Sequence, residues 1–333
     1  MYLENINFSL WADFIERGFL ENEFKELIRG YKINGATSNP SIFKNAIISS
    51  KAYKEQLEGL KGLSPKEKYE ELAIYDIKKA ADILKPLYEK GDDGFVSIEV
   101  DPNYANDVEN TVKEAKRLWS KIDRENVMIK VPVTNAGCEA IKELISEGIN
   151  INATLIFDPK YATLCLEAFE EGLKRAKKEV YGVLSIFVSR FDRKLDSILE
   201  NKGLEKGRVS ILNAANIYNI IKKRELANIK ALFASTSVKG EDYPPYYYVS
   251  ELIAPNSINT APIKTIKSFA KNGSKNQKLP IKQEEIDKFF NNLSKNGIDM
   301  QKVYDELLED GLRAFVLAFE EIIKELGGSD GKL

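Results

Sequence analysis

The chain alternates short apolar runs with longer stretches in which apolar residues recur at helical spacing. Eight runs predict strands, and they span residues 8–13, 33–38, 95–100, 127–133, 150–157, 183–188, 229–236 and 257–261. Helical stretches between such runs are typical of βαβ units and therefore of a parallel sheet. Eight units without a dividing linker predict an α/β fold of the (β/α)8 TIM-barrel type. The alternative is a doubly wound open sheet, but residues 11–19 lack the glycine-rich phosphate turn that such a sheet normally carries.

Several helices have recognisable starts in the sequence. Residues 64–67 (SPKE) form a capping box that opens a helix reaching about residue 88. Asn106, followed three residues later by Glu109, predicts the start of the next helix. The Asp-Pro pair at 158–159 predicts another, which we expect to run to about residue 178.

The C-terminal part of the chain predicts one long helix. Residues 300–326 repeat apolar positions at helical spacing, and two glycines at 327–328 give a stop signal. Residues 239–248 and 271–282 are expected to be connections on the surface. We therefore expect a single barrel domain with extra helices over residues 1–326 and a flexible tail over 327–333. The long helix either closes over the barrel mouth or serves a contact between subunits.

Composition excludes several classes of function. The 333 residues contain 49 Lys and Arg against 51 Asp and Glu, a net charge of −2, which argues against a nucleic-acid partner. Histidine is absent, so no Ser-His-Asp or Cys-His catalysis and no His-ligated metal can occur. Acid–base chemistry must come from Asp, Glu, Lys, Tyr or Cys, and we expect no metal.

The two cysteines and the absence of long apolar runs bear on location. Cys138 and Cys165 lie in helical patterns among apolar residues, which predicts buried thiols in a reducing compartment. No run approaches 18 apolar residues, and the first residues do not resemble a signal peptide. We expect a cytoplasmic protein without a membrane partner.

Polar residues interrupt the predicted strands on one face. Strand side chains alternate between the two faces, so the apolar set of each strand, Leu155 in the fifth among them, suits packing on the outer helices. The polar set can then face the barrel interior near the C-terminal strand ends, where barrel enzymes build their active sites. This polar set comprises Asp13, Thr37, Asn39, Ser97, Glu99, Lys130, Asn152, Thr154 and Ser185.

Lys130 is the most informative of these residues. It lies in the run VMIKVPV, where burial penalises the charged ammonium form. An unprotonated amine is a nucleophile toward carbonyl groups and can form a Schiff base. The alternative is a snorkelling lysine or a buried ion-pair partner. Glu99 and Asp13 are the natural general acid and base, or else they compensate the charge of Lys130.

Two cations follow the sixth and seventh predicted strands. Arg190 and Lys239, with the hydroxyl of Ser237 beside the latter, fall in loops that commonly bind phosphate in barrel enzymes. The alternative is an ordinary solvated surface charge.

These motifs resemble those of the transaldolases. NGATSNPSIFKNAI at 34–47 is similar to the first family signature, and VMIKVPVTNAGCEAIKELISEGININATLIF at 127–157 is similar to the second. Three shorter motifs match in order: SLWADF at 9–14, VSIEVD at 96–101 and SIFVSRFD at 185–192. The stretch 234–262 is similar to the corresponding part of the longer bacterial members.

The resemblance implies a class I aldolase barrel that moves a dihydroxyacetone unit from a ketose phosphate to an aldose phosphate, in the non-oxidative pentose phosphate pathway. It implies that Lys130 forms the Schiff base, that Asp13 exchanges a proton with the sugar hydroxyl and that Glu99 acts through a water. It also implies a site lined by Thr37, Asn39, Ser97, Asn152, Thr154 and Ser185, with Arg190 on the phosphate.

The chain departs from the family at one point. Many members place an arginine shortly after the seventh strand, where this chain has Ser237 and Lys239. The resemblance implies sugar-phosphate partners and no cofactor, and it leaves a homo-oligomer open. Two other functions stay open: an aldolase that releases free dihydroxyacetone, and a barrel that binds sugar phosphates without catalysis.

Overall fold

Parallel strands form the centre of the molecule. The computed structural model describes residues 3–30 and 32–328. Within these residues the strands are β1 Phe8–Ala12, β2 Gly35–Thr37, β3 Val96–Glu99, β4 Val127–Pro132, β5 Ile151–Ile156, β6 Gly182–Phe187, β7 Ile229–Ala234 and β8 Ser257–Ala261. Each pairs in parallel with the next, and β1 pairs with β8, so the sheet closes into a barrel in chain order. The predicted (β/α)8 barrel is confirmed, since an open doubly wound sheet would leave two edges unpaired.

Helices surround the strands, and most of them pack on the apolar outward face of the barrel. They are α1 Arg17–Glu21, α2 Glu23–Arg29, α3 Pro40–Ser49, α4 Lys54–Gly59, α5 Pro65–Tyr88, α6 Val108–Ile122, α7 Asn135–Ser146, α8 Pro159–Leu173, α9 Arg190–Asn201, α10 Val209–Arg224, α11 Tyr247–Glu251, α12 Ile263–Asn272, α13 Gln283–Lys295 and α14 Met300–Gly328. Short 3₁₀ turns lie at Glu4–Ile6, Lys51–Tyr53 and Pro102–Tyr104. Among the described residues, no helix is long and apolar enough to span a membrane.

The predicted helix boundaries hold in part. The capping box of α5 is present, with the Ser64 side chain and the Glu67 side chain each bonded to the other's backbone. The start of α6 was predicted one residue too early, because Asp107 and not Asn106 accepts the capping bond, from the backbone of Asn110. Helix α8 ends at Leu173, short of the predicted residue 178, since KRAKK at 174–178 offers almost no apolar face.

Helix α14 confirms the long C-terminal helix. It runs two residues past the predicted end and includes both glycines of the expected stop. The rest of the predicted tail, residues 329–333, lies outside the described residues. Contacts with α3, α5, α9 and β5 place α14 across the mouth of its own barrel. Of the two expectations for this helix, closure over the mouth is therefore the one that the described residues show.

The apolar side chains form two layers. One lies between the strands and the surrounding helices, and the other fills the barrel interior and its mouth. Leu155 was predicted to face the outer helices, and this was wrong. The register of β5 against β6 shifts after Ala153, and Leu155 has a φ of 61°. This irregularity breaks the strict alternation and places Leu155 with the inner layer, against α14.

Candidate active site

The side chains of Lys130 and Glu99 meet inside the barrel near the C-terminal strand ends. The two residues are register partners on the neighbouring strands β4 and β3, so their side chains project to the same side. Nζ of Lys130 lies 3.5 Å from Oε2 of Glu99 and donates a hydrogen bond of 3.3 Å to the carbonyl oxygen of Ser38. Lys130 is 5% exposed. The predicted inward-facing, buried amine is present.

Glu99 is a carboxyl group with unused bonding capacity. It is buried, and neither of its carboxylate oxygens accepts a hydrogen bond from the described residues. Burial raises the pKa of Glu99 to about 7, and the positive charge of Lys130 opposes that rise. A carboxyl with this pKa can both give and take a proton near neutrality.

Asp13 follows β1 and lies within reach of the same charge. The hydroxyl of Thr37 donates to Oδ1 of Asp13 at 2.9 Å and is 2.8 Å from the hydroxyl of Thr260. Burial raises the pKa of Asp13, while the Lys130 charge and the Thr37 hydrogen bond act against this rise. The structure thus brings Asp13, Thr37 and Lys130 into one electrostatic environment.

Three hydrogen-bonded polar side chains, on β3, β5 and β6, lie beside the strand that carries the lysine. The amide of Asn152 donates to the hydroxyl of Ser97 at 3.1 Å, and the hydroxyl of Ser185 donates to Oδ1 of Asn152 at 2.7 Å. Thr154 is buried on the same strand as Asn152, and its hydroxyl has no partner among the described residues. Buried polar groups normally have partners, so this hydroxyl is available to a ligand.

Asn39 is the N-cap residue of α3. Its Oδ1 accepts the backbone N–H of Ile42 at 3.0 Å and so caps the helix. This hydrogen bond involves only the side-chain oxygen of Asn39, and the side-chain nitrogen takes no part in capping the helix. Asn39 is half-buried, next to Ser38 whose carbonyl contacts Lys130.

Arg190 lies at the first residue of α9, under the C-terminal helix. Its guanidinium carbon is 5.2 Å from the centre of the Phe187 ring and 5.9 Å from that of Phe157. A Cβ at Gly311 of α14 would lie 3.2 Å from Nη1, so the glycine leaves room for the arginine. Burial and the charge of Arg193 lower the pKa of Arg190, and the charge of Asp310 opposes this. Such a half-buried cation is suited to bind an anion.

The other two predicted phosphate ligands are more open. Ser237 is half-buried, and Lys239 is exposed. Both lie after β7, on the side of the barrel expected from the sequence. Their part in ligand binding stays a prediction.

Two features near the lysine were missed from the sequence. Thr260 on β8 joins the Asp13 cluster, and the ring of Phe315 on α14 lies with its centre 5.5 Å from Nζ of Lys130. The polar pair Asn259-Thr260 inside the apolar-flanked run SINTA was the available signal for Thr260. No local signal marks Phe315, because it is one of many apolar positions on a long helix.

The structure also contains a second lysine in an apolar strand. Lys230 is the second residue of β7, near the opposite end of the barrel, and its Nζ lies 2.7 Å from Oδ1 of Asp93. The indole of Trp11 donates to the other oxygen of Asp93 at 3.3 Å. This carboxylate is therefore fully partnered, unlike that of Glu99. Within residues 3–30 and 32–328, no cluster of three Cys, Asp or Glu side chains suits a metal ion.

Comparison with known proteins agrees with this geometry. Residues 10–326 match the family model described as transaldolase/fructose-6-phosphate aldolase. A protein named transaldolase from Campylobacter jejuni (strain 81-176) is 47% identical over 331 residues, which cover 96% of this chain and 99% of the relative. A second transaldolase, from Helicobacter pylori (strain Shi470), is 42% identical over 318 residues, with 95% and 98% covered. The chain belongs to the transaldolase/fructose-6-phosphate aldolase family.

Proposed function

We propose that this chain is a transaldolase. It transfers a dihydroxyacetone unit from fructose 6-phosphate or sedoheptulose 7-phosphate to glyceraldehyde 3-phosphate or erythrose 4-phosphate, as in the non-oxidative pentose phosphate pathway. Support comes from the transaldolases of Campylobacter jejuni and Helicobacter pylori, which are similar over nearly their whole length. The observation that carries the proposal is the buried amine of Lys130 beside the unsatisfied carboxyl of Glu99.

Lys130 forms the covalent intermediate in this proposal. The unprotonated amine adds to the ketone carbon of the donor sugar and gives a carbinolamine. Loss of its hydroxyl as water leaves a C=N bond, and this step needs a proton donor. Glu99 supplies and recovers the protons through a bridging water. Its oxygens are free to bind that water because they accept no hydrogen bond from the described residues, and its pKa is about 7.

Asp13 then acts on the tethered sugar. The iminium draws the electron pair of the C3–C4 bond as that bond breaks. Asp13 takes the proton of the C4 hydroxyl, and the aldose phosphate leaves with a new carbonyl group. The three-carbon unit stays on Lys130 as an enamine. When an acceptor aldehyde arrives, the same steps run in reverse, and Asp13 returns the proton.

The polar side chains around the lysine hold the sugar. Asn39, Asn152 and Ser185 bind hydroxyl groups of the three-carbon unit, while Ser97 and Thr154 complete this wall. Thr37 orients Asp13 through the 2.9 Å hydrogen bond. Arg190 binds the phosphate, aided by Ser237 or Lys239.

Two other functions make different use of the same barrel. An aldolase would hydrolyse the enamine and release dihydroxyacetone, and the matching family model covers fructose-6-phosphate aldolases as well. Products formed with and without erythrose 4-phosphate separate the two activities. A binding protein without catalysis would form no imine.

A trapping experiment tests the proposal. The protein is incubated with fructose 6-phosphate, reduced with borohydride and mapped by mass spectrometry. We expect an adduct on Lys130, none in Lys130→Met and an undiminished adduct in Lys230→Met, since Lys230 is the other strand lysine of the barrel and is paired with Asp93. No adduct on Lys130 in the wild-type protein would reject the proposed function.

The proposal also bears on location and assembly. Cys138 and Cys165 are buried free thiols, which suits the reducing cytoplasm. All residues named for the reaction lie in one chain. A homo-oligomer stays a prediction.

A further inference from the structure

The Lys130 nitrogen has both polar and apolar neighbours. Oε2 of Glu99 lies at 3.5 Å and the carbonyl oxygen of Ser38 at 3.3 Å. The same nitrogen lies over the ring of Phe315, whose centre is 5.5 Å away. Both Lys130 and Phe315 are only 5% exposed. The face of an apolar ring on α14 and the nitrogen are therefore buried together.

Contacts one turn away on each side hold this ring in place. Residues 311, 315 and 319 share one face of α14, because they are four residues apart. Gly311 packs closely against Leu155 and Arg190, and the ring of Phe319 meets Tyr69 edge-on at 5.4 Å. An ion pair of 2.5 Å between Lys44 and Glu321 attaches the same part of the helix to α3. The position of Phe315 is thus set by the packing of the whole helix.

The fate of the three-carbon intermediate depends on water at this point. In hydrolysis, the enamine takes a proton on carbon to become an iminium, and water adds to the C=N carbon. The C–N bond then breaks, its electron pair returns to the lysine nitrogen, and free dihydroxyacetone leaves with the water oxygen. A ring that excludes bulk water from this carbon slows hydrolysis, whereas the acceptor aldehyde is recruited through its phosphate by the phosphate-binding residues.

We propose that Phe315 is a specificity-determining residue that favours transfer over hydrolysis. The apolar ring keeps water away from the imine carbon, and its face attracts the iminium cation. This inference rests on the proposed function, since it needs an intermediate on Lys130. Beyond the proposed function, it states that a residue of the C-terminal helix, and not the barrel alone, sets whether the intermediate is transferred or hydrolysed.

The test measures the partition of the intermediate in matched variants. Phe315→Ala opens the space over the nitrogen, and Phe315→Leu keeps apolar bulk without a ring face. Leu317→Ala is the control, because Leu317 lies on the same helix and is 52% exposed. For each protein we measure release of free dihydroxyacetone against transfer to erythrose 4-phosphate, together with borohydride trapping on Lys130 and the thermal unfolding midpoint.

We expect Phe315→Ala to raise the ratio of release to transfer by about tenfold and Phe315→Leu by about threefold, while Leu317→Ala leaves it unchanged. If trapping succeeds and the ratio in the Phe315 variants equals that of the control, the inference is wrong and the proposed function stands. If the wild-type protein traps no adduct, both fail. If Phe315→Ala does not fold, the ratio of release to transfer in Phe315→Leu is compared with that of the control, and equal ratios reject the inference.

Discussion

Nζ of Lys130 lies 3.5 Å from Oε2 of Glu99, and the two residues are register partners in neighbouring parallel strands. Burial raises the pKa of the Glu99 carboxyl to about 7, so this carboxyl loses its proton as the pH rises through neutrality. The ionised carboxylate can take the proton that the nitrogen releases when it adds to the ketone carbon, so the ionised form of Glu99 is the reactive one.

The pH profile of activity tests the role of the Glu99 carboxyl. We expect kcat/KM to rise about tenfold per pH unit below about pH 7 and to level off above it, as titration of a single group requires. Glu99→Gln should lose this dependence and lower kcat by about 10²–10⁴-fold. Glu139→Gln, on the exposed face of α7, is the control and should keep the wild-type profile. A wild-type profile that is flat from acid to neutral pH would contradict the prediction.

Asp13→Asn separates imine formation from bond cleavage. Asparagine can still accept the Thr37 hydrogen bond, but it cannot take the C4 hydroxyl proton. We expect kcat to fall by about 10²–10⁴-fold while borohydride still traps an adduct. The trapped adduct should then carry six carbons in place of three, which mass spectrometry distinguishes. Thr37→Val, as control, should give the three-carbon adduct at a reduced rate, and a three-carbon adduct in Asp13→Asn would show that another base acts.

Arg190→Gln tests phosphate recognition. Loss of a charge-assisted contact should raise KM for erythrose 4-phosphate by about 10- to 100-fold and leave KM for unphosphorylated glyceraldehyde unchanged. Lys239→Gln and Ser237→Ala, measured in the same way, compare the two remaining candidates. Because Lys239 is exposed, we expect its substitution to change KM by less than about threefold. Equal effects on both acceptors would contradict the role of Arg190.

A buried ion pair outside the site predicts a large effect on stability. Nε of Arg17 donates to Oδ1 of Asp76 at 3.0 Å, and the hydroxyl of Tyr53 donates to Oδ2 at 2.8 Å. Asp76→Ala leaves the buried guanidinium without a counter-charge and should lower the free energy of unfolding by about 3–5 kcal/mol, measured by urea denaturation. Asp82→Ala removes the exposed partner of Arg124 and should cost less than about 1 kcal/mol. Similar losses in the two variants would contradict this difference.

The inner face of the barrel could be predicted because strand side chains alternate strictly. From this alternation, Ser97, Glu99 and Lys130 were all predicted to face the barrel interior. The register of β3 against β4, in which Glu99 pairs with Lys130, agrees with the prediction. It failed at Leu155, where the register shift in β5 interrupts the alternation. Irregularities of this kind depend on the neighbouring strand and the helix above it, so the sequence of β5 alone does not reveal them.

The signal that singled out Lys130 is not sufficient by itself. Lys230 is also a lysine in an apolar strand, but it is the second residue of β7, and each oxygen of its partner Asp93 accepts a hydrogen bond. Position along the strand distinguishes the two, because active sites form at the C-terminal ends. The contact between Lys130 and Phe315 could not be predicted, since 185 residues separate them and the docking of α14 is a tertiary event.

Helix α14 follows all eight strands along the chain, and this order has a consequence for biosynthesis. The strands, and with them the reactive amine, are synthesised before residues 300–328. A nascent chain can therefore close its barrel while the nitrogen of Lys130 still faces solvent. The helix that covers the mouth is added to a portion of the chain that already contains every group that the chemistry uses.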